Sequence, residues 1–295
     1  MSLWKNLFAP RATDKEQLLE SLLILAWVVE AKDPYTGGHL WRVSKYANLI
    51  AKALDLDEKT VARVTLGGFL HDLGKISVPD NILTKQGPLT DEEYSVIKTH
   101  PTEGVRLIFN HPLSAIVIES IGLHHERFDG KGYPNGMARD AIPIEAKIVA
   151  VCDAFDAMTS QRSYRGAMSK EKALAIIQDN LGTQFDPTVG ERFIELGNRS
   201  KFDEIILHSD DHIPLHNCPT CGPTITQYRS DKVGELLHCP VCFSEATLIK
   251  VGQEYSLQQT MNKAPISKHR REPDQQLISN VIAQTIKNLS IEDLA

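Results

Sequence analysis

Basic residues do not prevail in this 295-residue chain: 32 Lys and Arg face 38 Asp and Glu, for a formal net charge of −6. That balance argues against a general nucleic-acid or anionic-membrane binder, which needs a basic face. Aromatic residues are scarce at 6%, which disfavours a stacking platform for single strands. Long apolar runs are missing too. The longest covers residues 22–29, eight in all, against the ~20 needed to cross a bilayer. Residues 1–11 lack an apolar stretch ending in a small-residue cleavage site. The expected compartment is the cytoplasm, with no membrane span. What is present, 42% hydrophobic residues over this length, suffices for one sizeable domain and a smaller unit.

Cysteine is rare before residue 200, where Cys152 stands alone in an apolar segment and reads as a small core residue. The other four, Cys218, Cys221, Cys239 and Cys242, form C-x2-C, a 17-residue spacer and C-x2-C. This is the spacing of a four-thiolate zinc site and not of a disulfide framework. A closed tetrahedral thiolate site leaves no open coordination position, so one structural zinc is expected; a rubredoxin-like iron centre shares the spacing and stays open.

Residues 13–200 read as helix after helix. Thr13-x-x-Glu16 and Thr90-x-x-Glu93 are capping boxes. Apolar residues recur at helical spacing in residues 18–29, 39–54 and 57–72, and the helix opened at Thr90 is expected to end near His100-Pro101. Asp186-Pro187 places a cap before a first-turn proline. The expected fold class is an all-α bundle, then a ribbon of short strands over residues 201–252 and a C-terminal amphipathic helix. Residues 1–12 form an N-terminal segment, and 253–273 are polar and read as linker. In residues 274–295, Leu277, Ile278, Val281, Ile282, Ile286 and Leu289 make one apolar face, which has to cover the ribbon, the main domain or a second chain.

His39, His71, Asp72, His100, His124, His125 and Asp153 are seven potential metal ligands at or near predicted helix ends, with Lys75 close by. Adjacent residues on a helix diverge by ~100°, so in a His-Asp doublet one side chain can hold one ion while its neighbour reaches another. A carboxylate has two oxygens and can bridge ions ~3.5–4 Å apart, as two-metal hydrolases require. Imidazole with carboxylate suits iron, manganese or zinc better than calcium. Any one of these histidines alone would read as a core or capping residue, as isolated His111 does. Two adjacent imidazoles at His124-His125 are harder to satisfy by packing.

His71-Asp72-Leu73-Gly74-Lys75 reads as HDxGK, and residues 124–134 read as HHExxDGxGYP. Together these motifs resemble the HD-GYP family of cyclic di-GMP phosphodiesterases, a branch of the HD metal-dependent phosphohydrolases, over residues 20–197. The resemblance implies an all-helical HD-type domain with two or three catalytic metals, usually iron or manganese, that opens cyclic di-GMP to pGpG and often continues to GMP. It implies that His39, His71, Asp72 and Asp153 ligate one metal, with Asp72 bridging to a second held by His100, His124 and His125. Lys75 resembles the family's substrate-phosphate lysine, and Tyr133 lies where the family places a tyrosine beside the nucleotide. Residues 153–165 resemble DxxDAxTSxRxYR, whose basic members, here Arg162 and Arg165, contact substrate phosphate. Members with a third metal carry a glutamate four residues before the first histidine. Here Tyr35 stands there, so two catalytic ions are expected.

These residue types suit phosphodiester hydrolysis. Paired cations neutralise the anionic substrate and lower the pKa of a shared water to give hydroxide, and Lys75 stabilises charge developing on phosphate. Alternatives are a catalytically weak cyclic di-GMP sensor, or a hydrolase of another cyclic dinucleotide or phosphate ester. The ribbon and terminal helix are expected to serve protein contact, with a GGDEF-domain protein for example, or homodimerisation.

Overall fold

The computed structural model describes residues 12–33, 36–85, 87–161, 166–222, 224–265 and 273–286. The helical part runs α1 (Ala12–Glu30), α2 (His39–Ala53), α3 (Glu58–Leu70), a 3-10 turn (Leu73–Ser77), α4 (Asp80–Leu83), α5 (Asp91–Ile97), α6 (His100–Ile108), α7 (Ser114–Leu123), α8 (Ile144–Thr159), α9 (Lys170–Asp179) and α10 (Pro187–Asn198). Side-chain caps start several of them. The Asp57 carboxylate accepts from the Thr60 amide, Thr90 and Glu93 close a reciprocal capping box, and Asp186 accepts from the Val189 amide.

The apolar stripes of α1, α2, α3, α7, α8, α9 and α10 share one core. At its centre the rings of Tyr46, Phe155, Phe193 and Phe202 pack with centroids 4.6 to 6.2 Å apart. The α2, α3 and α8 contacts matter most for the site, because each of these helices carries a candidate ligand on or beside it.

One expected boundary moves. The helix opened at Thr90 stops at Ile97, and α6 begins at His100 with Pro101 in its first turn. Proline is accepted there because a first-turn amide has no intrahelical partner to lose. His100 thus opens a helix instead of closing one.

The C-terminal module contains β1 (His208–Asp210) paired with β2 (Ile213–Pro214), β3 (His216–Asn217) with β4 (Thr224–Ile225), and an antiparallel sheet of β5 (Leu236–His238), β6 (Ser244–Val251) and β7 (Glu254–Lys263). Cys218, Ile225, Leu237, Cys239 and Leu248 form its own small core. The expected linker at 253–273 is corrected here: its first half is strand β7, paired with β6 from Val251↔Glu254 to Ser244↔Lys263. Only Tyr255 and Leu257 of that strand pack on the small core. An edge strand with so few buried side chains is held by its backbone ladder, which leaves little hydrophobic pattern to read.

The last element, α11 (Gln275–Thr285), is capped by Asp274. Its Leu277, Ile278 and Val281 join the main core beside α1 and α3. The described part of the apolar face that had three possible partners is therefore used within the chain, with Ile282 and Ile286 packed against the same core; Leu289 lies outside the described residues. Among the described residues no helix is long and apolar enough to cross a membrane.

Candidate metal centre

Local structure fixes the direction of most of the candidate ligands. His71 is the C-terminal cap of α3, and its Nδ1 donates to the Gly68 carbonyl at 2.8 Å. His100 Nδ1 donates to the Ile97 carbonyl at 2.8 Å, and His124, capping α7, donates from Nδ1 to the Ser120 carbonyl at 2.9 Å. Each bond holds the proton on Nδ1 and turns the Nε2 lone pair inward. His39 opens α2, and its Nδ1 donates to Asp156 Oδ2 at 2.7 Å. Gly74 brings the 3-10 turn into close contact with the His100 carbonyl, which sets Asp72 beside the start of α6.

The seven candidates converge. His39, His71 and Asp153 form one cluster, His100, His124 and His125 another, and His71, Asp72 and His124 lie between them; within each, one ligand atom per residue falls within 4.8 Å of the others. Asp72 faces both sides. Its Oδ2 is 3.5 Å from His39 Nε2 and 3.4 Å from His71 Nε2, and its Oδ1 is 3.5 Å from His100 Nε2. Asp153 Oδ1 is 3.5 Å from His39 Nε2 and 3.8 Å from His71 Nε2.

The donor set fits divalent metal on two observations. His71 Nε2 is buried without a hydrogen-bond partner, a costly arrangement for a polar atom. His100 Nε2 and His124 Nε2 lie 3.2 Å apart while both rings hold their protons on Nδ1. Two lone pairs thus point at each other, and a cation between such rings resolves the conflict.

Electrostatics divides the centre. Burial drives the His100 pKa down to about 4 and that of His125 to about 3, and burial with neighbouring His125 lowers His124. These imidazoles are neutral at pH 7, as ligands must be. Burial also disfavours the His39 imidazolium, but hydrogen bonds to Asp156 and Asp72 outweigh it and raise the pKa to about 9. Burial opposes ionisation of both carboxyls; Lys75 and His71, with hydrogen bonds to His39 and His71, still hold Asp72 well below the usual carboxylate range, and His71 and His39 hold Asp153 below it. Manganese titration by calorimetry at pH 7, repeated in buffers of different ionisation enthalpy, is therefore expected to show at least one proton released per chain, from His39, in addition to any from a metal-bound water. Because His39 is protonated below about pH 9, the first cluster gains affinity as pH rises to that value. The second changes little until acid reaches its histidines. No proton release would contradict the raised His39 value.

Lys75 Nζ is 2.7 Å from Asp72 Oδ2. Tyr133 stacks on His125, centroids 4.7 Å apart and planes at 26°, and burial raises its phenol pKa, so the hydroxyl keeps its proton. The loop carrying Tyr133 is tied down by Glu126, whose Oε1 accepts from the Asn135 amide at 2.7 Å and Oε2 from the Met137 amide at 2.9 Å. Arg162, Arg165 and Tyr35 lie outside the described residues.

Sequence reasoning passed over Glu126, Asp156 and Arg42 as site residues. Asp156 follows Asp153 by one helical turn, the one local signal that it shares that face. Arg42, one turn after His39, is fully buried against Asp156.

The four cysteines meet as well. Cys218 Sγ is 3.6 Å from Cys242 Sγ and 3.7 Å from Cys221 Sγ, and Cys221 Sγ is 3.5 Å from Cys239 Sγ. Thiolates ~2.3 Å from a tetrahedral zinc sit ~3.8 Å apart. Burial opposes ionisation of Cys218, but hydrogen bonds from Ser244 and backbone amides bring its pKa to about 6. A cavity of about 550 Å3 between α1 and the C-terminal module, lined by Trp27, Tyr228 and Leu277, includes none of these ligand clusters. A smaller recess lies over His39, Asp72 and Lys75.

The HD domain family matches residues 24–189, more than half of the chain. A cyclic di-GMP phosphodiesterase response regulator of Xanthomonas campestris pv. campestris is 42% identical over 189 residues, covering 63% of this chain and 50% of that protein. A cyclic di-GMP phosphodiesterase of Thermotoga maritima is 37% identical over 225 residues, covering 73% and 61%. A 3'3'-cGAMP-specific phosphodiesterase of Vibrio cholerae is 38% identical over 160 residues, covering 54% and 35%. The chain thus spans about a third to three fifths of the length of these curated relatives. With the family matched over a stretch that contains all seven converging candidates, the chain belongs to the HD domain family.

Proposed function

We propose that this chain is an HD-GYP cyclic di-GMP phosphodiesterase that works with two catalytic metal ions, iron or manganese. The observation that carries this is the Asp72 carboxylate, which offers one oxygen to each of two ligand clusters. His39, His71, Asp72 and Asp153 would hold one ion and Asp72, His100, His124 and His125 the other. Bound there, the ions would supply charge neutralisation for the phosphodiester and an activated water as nucleophile.

The chain's own groups do the rest. Lys75 sits beside the bridging carboxylate, where its ammonium meets the phosphate oxygens as negative charge grows. Tyr133 forms an aromatic wall on His125 and keeps a phenolic proton to donate. Glu126 holds that wall by accepting two loop amides. Arg162 and Arg165 are assigned to the second phosphate by family resemblance. The four thiolates are assigned one structural zinc, and the module around them a protein-contact role.

The curated relatives named for cyclic di-GMP support this substrate. The relative named for 3'3'-cGAMP supports a second reading, in which the same centre opens a mixed-base ring. Protein purified without air and loaded with iron or manganese, incubated with each dinucleotide, separates the two. Conversion of cyclic di-GMP to pGpG, faster than any opening of 3'3'-cGAMP, is expected. The reverse preference selects the second reading, and binding of cyclic di-GMP without product overturns the enzyme in favour of a sensor.

A further inference from the structure

His39 is held differently from the other bonded ligands. His71, His100 and His124 are oriented by carbonyls three or four residues earlier in the chain. Such bonds form with the local backbone and survive wherever the helix end does. His39 instead relies on Asp156, 117 positions away.

Asp156 is itself held by Arg42. Arg42 Nε donates to Asp156 Oδ1 at 2.6 Å and Nη2 to Asp156 Oδ2 at 3.0 Å, a two-point grip that leaves the carboxylate no freedom to turn. Both side chains are buried, Arg42 at 1% and Asp156 at 0% exposure. The remaining guanidinium donors reach Ser160 Oγ at 3.1 Å, the Gly37 carbonyl at 3.0 Å and the His208 carbonyl at 2.9 Å. His208 opens β1 of the C-terminal module. Next to it, Gly38 takes φ 73°, and a Cβ there would lie 2.7 Å from Ser209 Cα. The module therefore rests on the turn that delivers His39, and supplies one acceptor to the buried arginine behind that ligand.

Lifting β1 away removes the His208 acceptor from Arg42 and the Ser209 backbone packed against Gly38, which frees the turn that delivers His39. Among the described residues nothing comparable links the module to His100 or His124, whose bonds are intrahelical or to the preceding turn.

We infer that Arg42 is a positioning residue for His39 and makes the His39–His71–Asp153 metal site depend on docking of the C-terminal module, while the His100–His124–His125 site does not. This rests on the metal reading of the centre.

The test is manganese binding to the full chain, read as ions retained per chain and as affinity. Arg42→Lys keeps a positive charge but has no fork to hold Asp156 and His208 together. It is expected to weaken one manganese ~10–100-fold, the usual effect of removing a partner behind a ligand, and to leave the other unchanged. Placed on His125→Ala, it weakens the remaining ion by the same ~10–100-fold; placed on His39→Ala, it changes nothing further. Ser209→Leu, which pushes β1 off the turn without touching any ligand, is expected to reproduce the selective loss. Two ions held with normal affinity in both Arg42→Lys and Ser209→Leu overturn the coupling, as does equal weakening of both sites. A wild-type chain that binds no manganese overturns the metal reading along with it.

Discussion

An Asp72→Ala chain is expected to lose tight binding of both catalytic ions and more than about 1,000-fold of its hydrolysis rate. Each Asp72 oxygen faces a different cluster, at 3.4 to 3.5 Å from the nearest imidazole nitrogens. Asp153 lies within 4 Å of His39 and His71 and acts on His125 of the other cluster only through its charge. Without the anion between them, two cations a few ångströms apart repel, and neither site closes. Asp72→Asn separates shape from charge. It keeps an oxygen toward one cluster and is expected to retain some metal while remaining inactive. Elemental analysis after gel filtration, with cyclic di-GMP turnover on the same samples, checks both variants. Turnover at the wild-type rate in either would remove the bridge.

Lys75→Ala carries the second large expectation: about a 100-fold drop in kcat with metal content unchanged. The Lys75 ammonium sits 2.7 Å from Asp72 Oδ2, beside the carboxylate proposed to join the two ions. A positioned donor acting on charge that grows in the transition state is typically worth 100- to 1,000-fold. Because the lysine contributes nothing to the donor sets of the clusters, its removal is expected to separate chemistry from metal binding. Metal loss equal to that of Asp72→Ala would make Lys75 a counter-ion for the carboxylate and nothing more. An unchanged rate would place it outside the reaction.

Much of the site was legible in the sequence because its chemistry is concentrated in short stretches. His71-Asp72 and His124-His125 are doublets at helix ends, and helical periodicity located those ends to within a few residues. That the doublets meet one another followed from family resemblance and not from spacing. What stayed hidden needed the third dimension. Arg42 reads as an ordinary polar residue on α2, and only packing of α8 and β1 against it reveals its five acceptor contacts. Glu126 sits inside the longer motif, but its role depends on a loop that folds back nine to eleven residues later.

The same reasoning explains the C-terminal half. Cysteine spacing announced the four-thiolate cluster, since few other arrangements require it. Strand β7 escaped because ladder hydrogen bonds place no demand on side chains facing outward. The apolar face of α11 was plain from its periodicity, but periodicity names no partner. The core beside α1 and α3 supplied it.

Anomalous diffraction from crystals of the manganese-loaded full chain, with data on either side of the manganese edge, tests the central claim most directly. Two peaks are expected, one among His39, His71 and Asp153 and one among His100, His124 and His125, with Asp72 contacting both. A single peak, or a pair that Asp72 does not join, would contradict the account.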